Sequence, residues 1–351
     1  MEALIHSYLA SFPTVVLVLI ISAMLYILSK GADMLVDKAV NLSLHWGVPK
    51  MVIGATIVSL GTTLPEATVS VLAAVNGNPD LALGNAIGSI IADTGLILGL
   101  AALMGRLPVD EVVVNRQGKV QIWAGILLAV VSLPFLSGGS GSISREAGWL
   151  FLGLLVAYIY TSIKWSKDPI LDRSAVEGEI AFTEEQSPCS KSILREEKGS
   201  LGIQVLELFM GIMLIIGASK ILIPAVEISA VRVGIPQSII AATLIAFGTS
   251  LPELVTAITA VRKGHGELAI GNIVGADILN VLFVVGSAAA VTPGGLAVPA
   301  NFYKLQIPTM LIILGAFRLF SKGEDREITK KEGGLLFLIY FIYLILSFTW
   351  I

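Results

Sequence analysis

Ten stretches of this chain are apolar over the length a helix needs to cross a lipid bilayer. They cover roughly residues 12 to 44, 48 to 75, 79 to 104, 119 to 137 and 146 to 165, then 201 to 231, 235 to 261, 267 to 290, 299 to 320 and 333 to 351. A hydrocarbon core of roughly 30 Å takes about 20 residues as a helix, and short polar breaks separate the runs. Each run is continuously apolar instead of alternating, which disfavours a transmembrane β-barrel. Composition agrees: 55% of the 351 residues are hydrophobic, 14% are charged and the mean hydropathy is +0.86, outside the range of an ordinary water-soluble domain. The expected fold is all-α, a polytopic membrane protein with ten transmembrane helices.

The runs fall into five and five. Residues 1–165 hold the first set and residues 201–351 the second. Residues 166–200 form a charged linker that includes Lys167, Asp168, Glu184, Glu185, Arg195, Glu196 and Lys198. Basic residues are retained on the cytoplasmic side of a membrane. One alternate set of loops holds Lys50, Arg106, Arg116, Lys119, the linker's basic residues, Arg262, Lys263, Arg318, Lys322, Arg326, Lys330 and Lys331, whereas the other holds Arg145, Arg232 and Lys304. The asymmetry places the linker in the cytoplasm and both termini outside. Net charge of -3 carries no nucleic-acid footprint, and the single cysteine, Cys189, permits neither an internal disulfide nor a thiolate metal cluster. Glu2 precedes the first run with no basic cluster and no small-residue cleavage site, so the mature chain is expected to begin at Met1.

The two sets share an internal repeat. Residues 47–99 align with residues 234–286 at a constant offset of 187 without a gap, matching at 19 of 53 positions. Gly61-Thr62-Thr63-Leu64-Pro65-Glu66 faces Gly248-Thr249-Ser250-Leu251-Pro252-Glu253, and Gly84-Asn85 with Gly88 faces Gly271-Asn272 with Gly275. Five spans, an odd number, separate equivalent points, so the copies enter the membrane from opposite faces. This is the inverted-repeat plan of secondary transporters, whose ion sites lie near the midplane where the repeats meet.

Chemistry concentrates at the matched motifs. Proline removes a backbone donor, so each helix should kink or unwind just before Glu66 and Glu253 and free carbonyls around Ser59 and Ala246. Thr62, Thr63, Thr249 and Ser250 add hydroxyls, and mixtures of carboxylate, carbonyl and hydroxyl oxygen bind hard cations such as Na⁺ and Ca²⁺. The residue 27 positions after each glutamate is also polar, Asp93 in one repeat and Asn280 in the other. About 11 residues separate Glu66 from the turn near Asn76-Gly77-Asn78-Pro79, and about 14 separate that turn from Asp93, giving depths of about 16 and 21 Å at roughly 1.5 Å per residue. Four polar groups from two hairpins can therefore converge on one dehydrated cation. Gly84, Gly88, Gly271 and Gly275 would let the helix backbones approach closely.

Each of these residues also has a plainer reading. An intramembrane glutamate can be a protonated packing residue, although two at equivalent positions after proline point to function. Asp93 and Asn280 can bond between helices without touching an ion. Asp277 lies one turn from Asn280, but its repeat equivalent is Ile90; it is carried as a candidate ligand that could equally tune the site's charge or face another helix. Asp33, Glu207, Lys220 and Glu227 on the long first and sixth runs are expected to be interfacial or paired, the three histidines to be solvated, and the tryptophans to form an interfacial belt.

At these residues the chain resembles the calcium/cation antiporter superfamily, in its prokaryotic sodium/calcium exchanger branch. The hallmark is two inverted repeats carrying Gly-Thr-Ser-x-Pro-Glu and then Gly-Asn-x-x-Gly-Ser/Ala, seen here at residues 61–66 with 84–89 and 248–253 with 271–276. The resemblance implies a ten-helix exchanger fold in two inverted five-helix repeats, set in a prokaryotic inner membrane. It implies a central Ca²⁺ site of Glu66 and Glu253, with oxygens from Thr62 and Thr249. Flanking Na⁺ sites would use Thr63, Ser89 and the Ser59 carbonyl on one side, and Ser250 with the Ala246 carbonyl on the other. Ala276 stands where many members place Ser. The Asp93 and Asn280 pair reverses an archaeal-type order, and the K⁺-dependent branch carries Asp at the position of Asn280.

The expected activity is Ca²⁺ for Na⁺ antiport by alternating access, with no enzymatic chemistry and no cofactor. The partners are Ca²⁺, Na⁺ and the lipid bilayer, and a monomer is the expected working unit. A Ca²⁺/H⁺ antiporter of the same fold is the nearest alternative; exchange of another divalent ion or a passive cation channel ranks behind it.

Overall fold

The computed structural model describes residues 2–134, 141–166, 201–234, 248–323 and 326–349. Residues 167–200 of the expected linker, the opening of the second repeat and Ala246 lie outside the described residues.

Helix α1 (Glu2–Ala10) precedes α2 (Thr14–Trp46), which ends where Gly47 takes the left-handed conformation at φ 62°. Next come α3 (Lys50–Thr62) and α4 (Leu64–Val75), bent by 43° at Thr63, and α5 (Pro79–Met104). The first half ends with α6 (Glu111–Val131) and α7 (Arg145–Ser166). The second half contains α8 (Leu201–Arg232), α9 (Leu251–Arg262), α10 (Gly266–Val291), α11 (Phe302–Phe320) and α12 (Lys330–Thr349). Local signals fix several starts. Asn78 caps α5 by accepting from the Leu81 amide at 3.2 Å, and Asp110 caps α6 by accepting from the Val113 amide at 2.9 Å. At α12, Thr329 and Glu332 form a reciprocal capping box.

Among the described residues, α2, α5, α7, α8, α10 and α11 are each long and apolar enough to cross a membrane, and the bent α3–α4 pair would make a seventh span. Helices α6, α9 and α12 stand at the fourth, seventh and tenth of the apolar runs. Contacts between chain breaks agree with ten crossings. At one end, Lys50 pairs with Glu267 at 3.1 Å, Lys263 with Asp33 at 3.1 Å and Asp37 at 2.8 Å, and Arg106 with Glu327 at 3.0 Å. There strand β1 (Leu107–Pro108) also pairs antiparallel with β4 (Glu327–Ile328). At the other end β2 (Ser142–Ile143) pairs with β3 (Leu296–Ala297), and Arg232 donates to the Ala10 and Phe12 carbonyls, each at 2.8 Å. Among the described residues, the breaks joined by these contacts are an even number of crossings apart, which is consistent with single passes.

The halves interlock. Helices α2 and α8, of 33 and 32 residues, pack on each other and are far longer than a perpendicular span, so they cross at a tilt. Helices α5 and α10 are buried along most of their length. Helix α7 of the first half packs on the end of α10, and α12 of the second half packs on the end of α5. Glu207 pairs with Lys38 at 2.9 Å, and Asp33 is paired with Lys263, as the sequence suggests for these long helices. Trp46, Trp123 and Trp149 are exposed. His265 departs from expectation: it is half-buried under the α9–α10 turn, and burial holds its imidazole below the usual range, whereas His6 and His45 are exposed.

Candidate ion-binding site

The site forms where the two copies of the repeat cross. At Gly271 an added Cβ would lie 2.1 Å from the Met51 carbonyl oxygen, and at Gly275 it would lie 2.5 Å from the Ala55 carbonyl oxygen. Only glycine permits this backbone-to-backbone crossing of α3 and α10. The repeat equivalents of Met51 and Ala55, residues 238 and 242, lie outside the described residues.

The crossing brings together most of the polar residues marked in the sequence. Glu66 and Glu253 sit in the first turns of α4 and α9 and are each 1% exposed. They lie within direct electrostatic range of each other, and Asp93 is in range of both. Thr62, Thr63, Ser89, Ser250, Asp93 and Asn280 are all buried. Both carboxylate oxygens of Glu66, one of Glu253, Asp93 Oδ1, Asn280 Oδ1 and the Thr63 hydroxyl have no hydrogen-bond partner among the described residues. Buried lone pairs left in this state are unfavourable unless positive charge meets them.

The cross-repeat contacts follow the offset of 187. Thr62 Oγ1 donates to Asn272 Oδ1 at 3.4 Å, and at the equivalent point Thr249 Oγ1 donates to Asn85 Oδ1 at 3.0 Å. Thr249 thus faces Glu66, and Thr62 faces Glu253. Ser250 Oγ donates to Ser89 Oγ at 3.1 Å and faces Asp93. The equivalent of that contact would join Thr63 to position 276, where alanine has no hydroxyl, so Thr63 makes no such contact and faces Glu253 beside Thr62.

Two readings need correction. The bend before Glu66 is present, yet it does not free the Ser59 carbonyl. That oxygen accepts from the Thr63 amide at 2.9 Å and the Thr62 hydroxyl at 3.3 Å, and it is the Gly61 carbonyl that Pro65 cannot serve. Asp277 is 2% exposed but does not join the glutamate pair as a further ligand. Its Oδ2 accepts from Thr94 Oγ1 and Gln121 Nε2, each at 2.6 Å.

Sequence reasoning missed Asn85 and Asn272, although both belong to the matched motif. Asn85 Nδ2 donates to the Glu66 carbonyl at 3.1 Å and to Ser70 Oγ at 3.0 Å, tying α5 to the turn that carries the glutamate. It also missed the π-helical turns at Gly54–Val58, Ala92–Ile97 and Asn280–Val285. Asp93 and Asn280 lie inside the second and third of these; such turns recur at functional sites because they offset the backbone register and re-aim a side chain.

Among the described residues, no group of three or more His, Cys, Asp and Glu side chains is gathered as a metal cage. Two glutamate carboxylates with hydroxyl and amide oxygens around them are a donor set that suits hard cations.

Comparison with known proteins agrees with this geometry. The family model described as "Sodium/calcium exchanger protein" matches residues 15–164 and 203–349. The chain is 35% identical to inner membrane protein YrbG of Escherichia coli over 91% of its own length and 92% of that protein, and 30% identical to the putative antiporter CaxA of Alkalimonas amylolytica over 93% and 96%. It is 26% identical to the sodium/calcium exchanger MaX1 of Methanosarcina acetivorans over 92% and 96%. The solved sodium-calcium exchanger NCX_Mj superposes with a TM-score of 0.76 at 25% identity, covering 94% of this chain and 98% of that one. Taken with the duplicated acid motif and its interlocked helices, these matches make the chain a multi-pass membrane transporter that belongs to the sodium/calcium exchanger protein family.

Proposed function

We propose that the chain exchanges Ca²⁺ for Na⁺ by alternating access, both ions competing for the oxygens around Glu66 and Glu253. The observation that carries this reading is the pair of buried glutamates, one from each repeat, facing each other with unpartnered carboxylate oxygens. Thr62, Thr249 and the carboxamide of Asn280 add neutral oxygens at the centre. Ser250 with Ser89 and Asp93 flanks it on one side and Thr63 on the other, so Ser89 goes with Ser250 and not, as the resemblance implied, with Thr63. The Ala246 carbonyl is the further oxygen proposed on the Ser250 side, while the Ser59 carbonyl, which already accepts two hydrogen bonds, is left out.

Two carboxylates sealed in a dry site without a cation cost several kcal/mol. The empty carrier therefore resists the closed intermediate through which it must pass, and an ion must ride each way. The long tilted helices α2 and α8 are the elements whose movement would open one end or the other. On this reading the end holding Lys50, Lys263 and Arg106 faces the cytoplasm, which the excess of basic residues in its loops supports, both termini lie outside, and the monomer is the working unit.

The test is ⁴⁵Ca²⁺ flux into proteoliposomes with Na⁺, K⁺ and pH gradients imposed one at a time. Uptake driven by an outward Na⁺ gradient and lost in both Glu66→Gln and Glu253→Gln is the expected outcome. Uptake driven only by the pH gradient would make the protein a Ca²⁺/H⁺ antiporter, and unitary currents in a clamped bilayer would make it a channel.

A further inference from the structure

Asp277 leaves a buried constellation that the glutamate pair does not use. Thr94 on α5 and Gln121 on α6 both donate to its Oδ2, while its Oδ1 has no partner among the described residues. Gln121 turns its own Oε1 to no partner, and so does Gln117, one helical turn earlier on the same face of α6. Gln117, Gln121, Thr94 and Asp277 are each no more than 2% exposed. The unmet atoms here are all acceptors. Orphaned acceptor oxygens beside a buried carboxylate are unfavourable until a donor or a cation meets them.

We propose that Asp277 Oδ1 and the side-chain oxygens of Gln121 and Gln117 bind one Na⁺ at a site separate from the Glu66 and Glu253 pair. Asp277 is the one carboxylate among these three ligands, and a donor set of one carboxylate and two neutral amide oxygens suits a monovalent cation. Hard carboxylate and amide oxygens suit Na⁺. Thr94 and the Gln121 amide hold the carboxylate by its other oxygen, so that Oδ1 stays presented. The site belongs to one half only, since the repeat equivalents of Asp277 and Thr94 are Ile90 and Val281. It does not rest on the role proposed for the glutamates.

Thermal unfolding of the purified full-length protein, with NaCl replaced stepwise by choline chloride at fixed ionic strength, tests the site. In the Glu66→Gln, Glu253→Gln double variant, Na⁺ should still raise the unfolding midpoint. Adding Asp277→Asn should remove that rise. Gln121→Met, which keeps the carboxylate and protects the test if Asp277→Asn folds poorly, should weaken apparent Na⁺ affinity by about tenfold. The proposal is overturned if the double variant shows no Na⁺ dependence, if Gln121→Met leaves that dependence unchanged, or if stabilisation follows pH between about 6 and 8 with no response to Na⁺. Flux measurements on the single glutamate variants judge the exchange reading separately, so either reading can fail while the other stands.

Discussion

The contact from threonine to asparagine is made twice in this molecule, Thr62 to Asn272 and Thr249 to Asn85, whereas the contact from serine to serine is made once. The two halves are therefore alike where they frame the space between the glutamates and unlike at its flanks. Serine at position 89 is answered by Ala276, Asp93 by Asn280, Ile90 by Asp277 and Asn76 by Lys263. A carrier that passes between mirror-related states needs a common centre that both halves build. Its flanks need not match, and differences there bias which ion binds and which end stays closed.

The largest expected effects test the shared centre. Replacing either glutamate with glutamine removes a charge that faces a desolvated ion, a loss of about 3–5 kcal/mol and so a fall of at least about a hundredfold in Ca²⁺ uptake. Equal loss from Glu66→Gln and Glu253→Gln supports equivalence of the halves, and survival of either variant breaks it. Next comes the crossing itself. A methyl at Gly271 would meet the Met51 carbonyl oxygen, which is backbone and cannot swing aside. Gly271→Ala should lower stability by about 1–3 kcal/mol, read as an earlier unfolding midpoint in detergent. An unchanged midpoint would mean that α3 and α10 do not cross as closely as described.

A smaller effect repairs a difference between the halves. Ala276→Ser gives Thr63 the cross-repeat partner that Ser89 gives Ser250, and should stabilise the protein by about 1 kcal/mol with tighter apparent Na⁺ binding. Ser89→Ala should do the reverse; if the two substitutions shift stability in the same direction, the flanks are not related as the offset implies. The smallest effect lies at the membrane surface. Lys263→Ala removes the tie from the α9–α10 turn to Asp33 and Asp37 on α2, worth about 0.2–1 kcal/mol for a half-exposed pair. Burial alone would lower the Lys263 ammonium, but the hydrogen bonds and charges of Asp37 and Asp33 outweigh it and leave the group above its ordinary value. With the folded value raised, the tie is complete below the usual lysine range and is lost as pH rises through the folded value. A cysteine placed near the Trp46 end of α2 should label faster in Lys263→Ala, and labelling should also quicken at high salt in the native protein.

Much of this was legible in the residues. The apolar runs and the duplicated motif pointed to an all-α bundle with inverted halves, and proline after each Gly-Thr run located the bend of 43° at Thr63. Side chains that reach across the repeats were harder to read. Nothing in the spacing of Asn85 says that it will serve Thr249, because that contact depends on where α5 and α9 cross. The π-helical turns carry no strong local signature either, since one extra residue per turn leaves the apolar pattern nearly intact. Asp277 was ambiguous because its fate depended on α6, whose Gln121 reads in isolation as one polar letter in an apolar run. The Ser59 carbonyl was misjudged because its donor is the amide of Thr63, two residues before the proline, where helical bonding still holds.

The exchange of terminal helices has a consequence for biosynthesis. Gly95 and Gly99 of α5 lie directly against Tyr340, Phe337 and the Gly333 carbonyl of α12. The first half thus waits for α12 to leave the ribosome before a central helix is fully packed. Until then the glycine-lined face of α5 lacks its packing partner, and a chain cut short before Lys330 would be a substrate for quality-control proteases even with Glu66 and Glu253 in place.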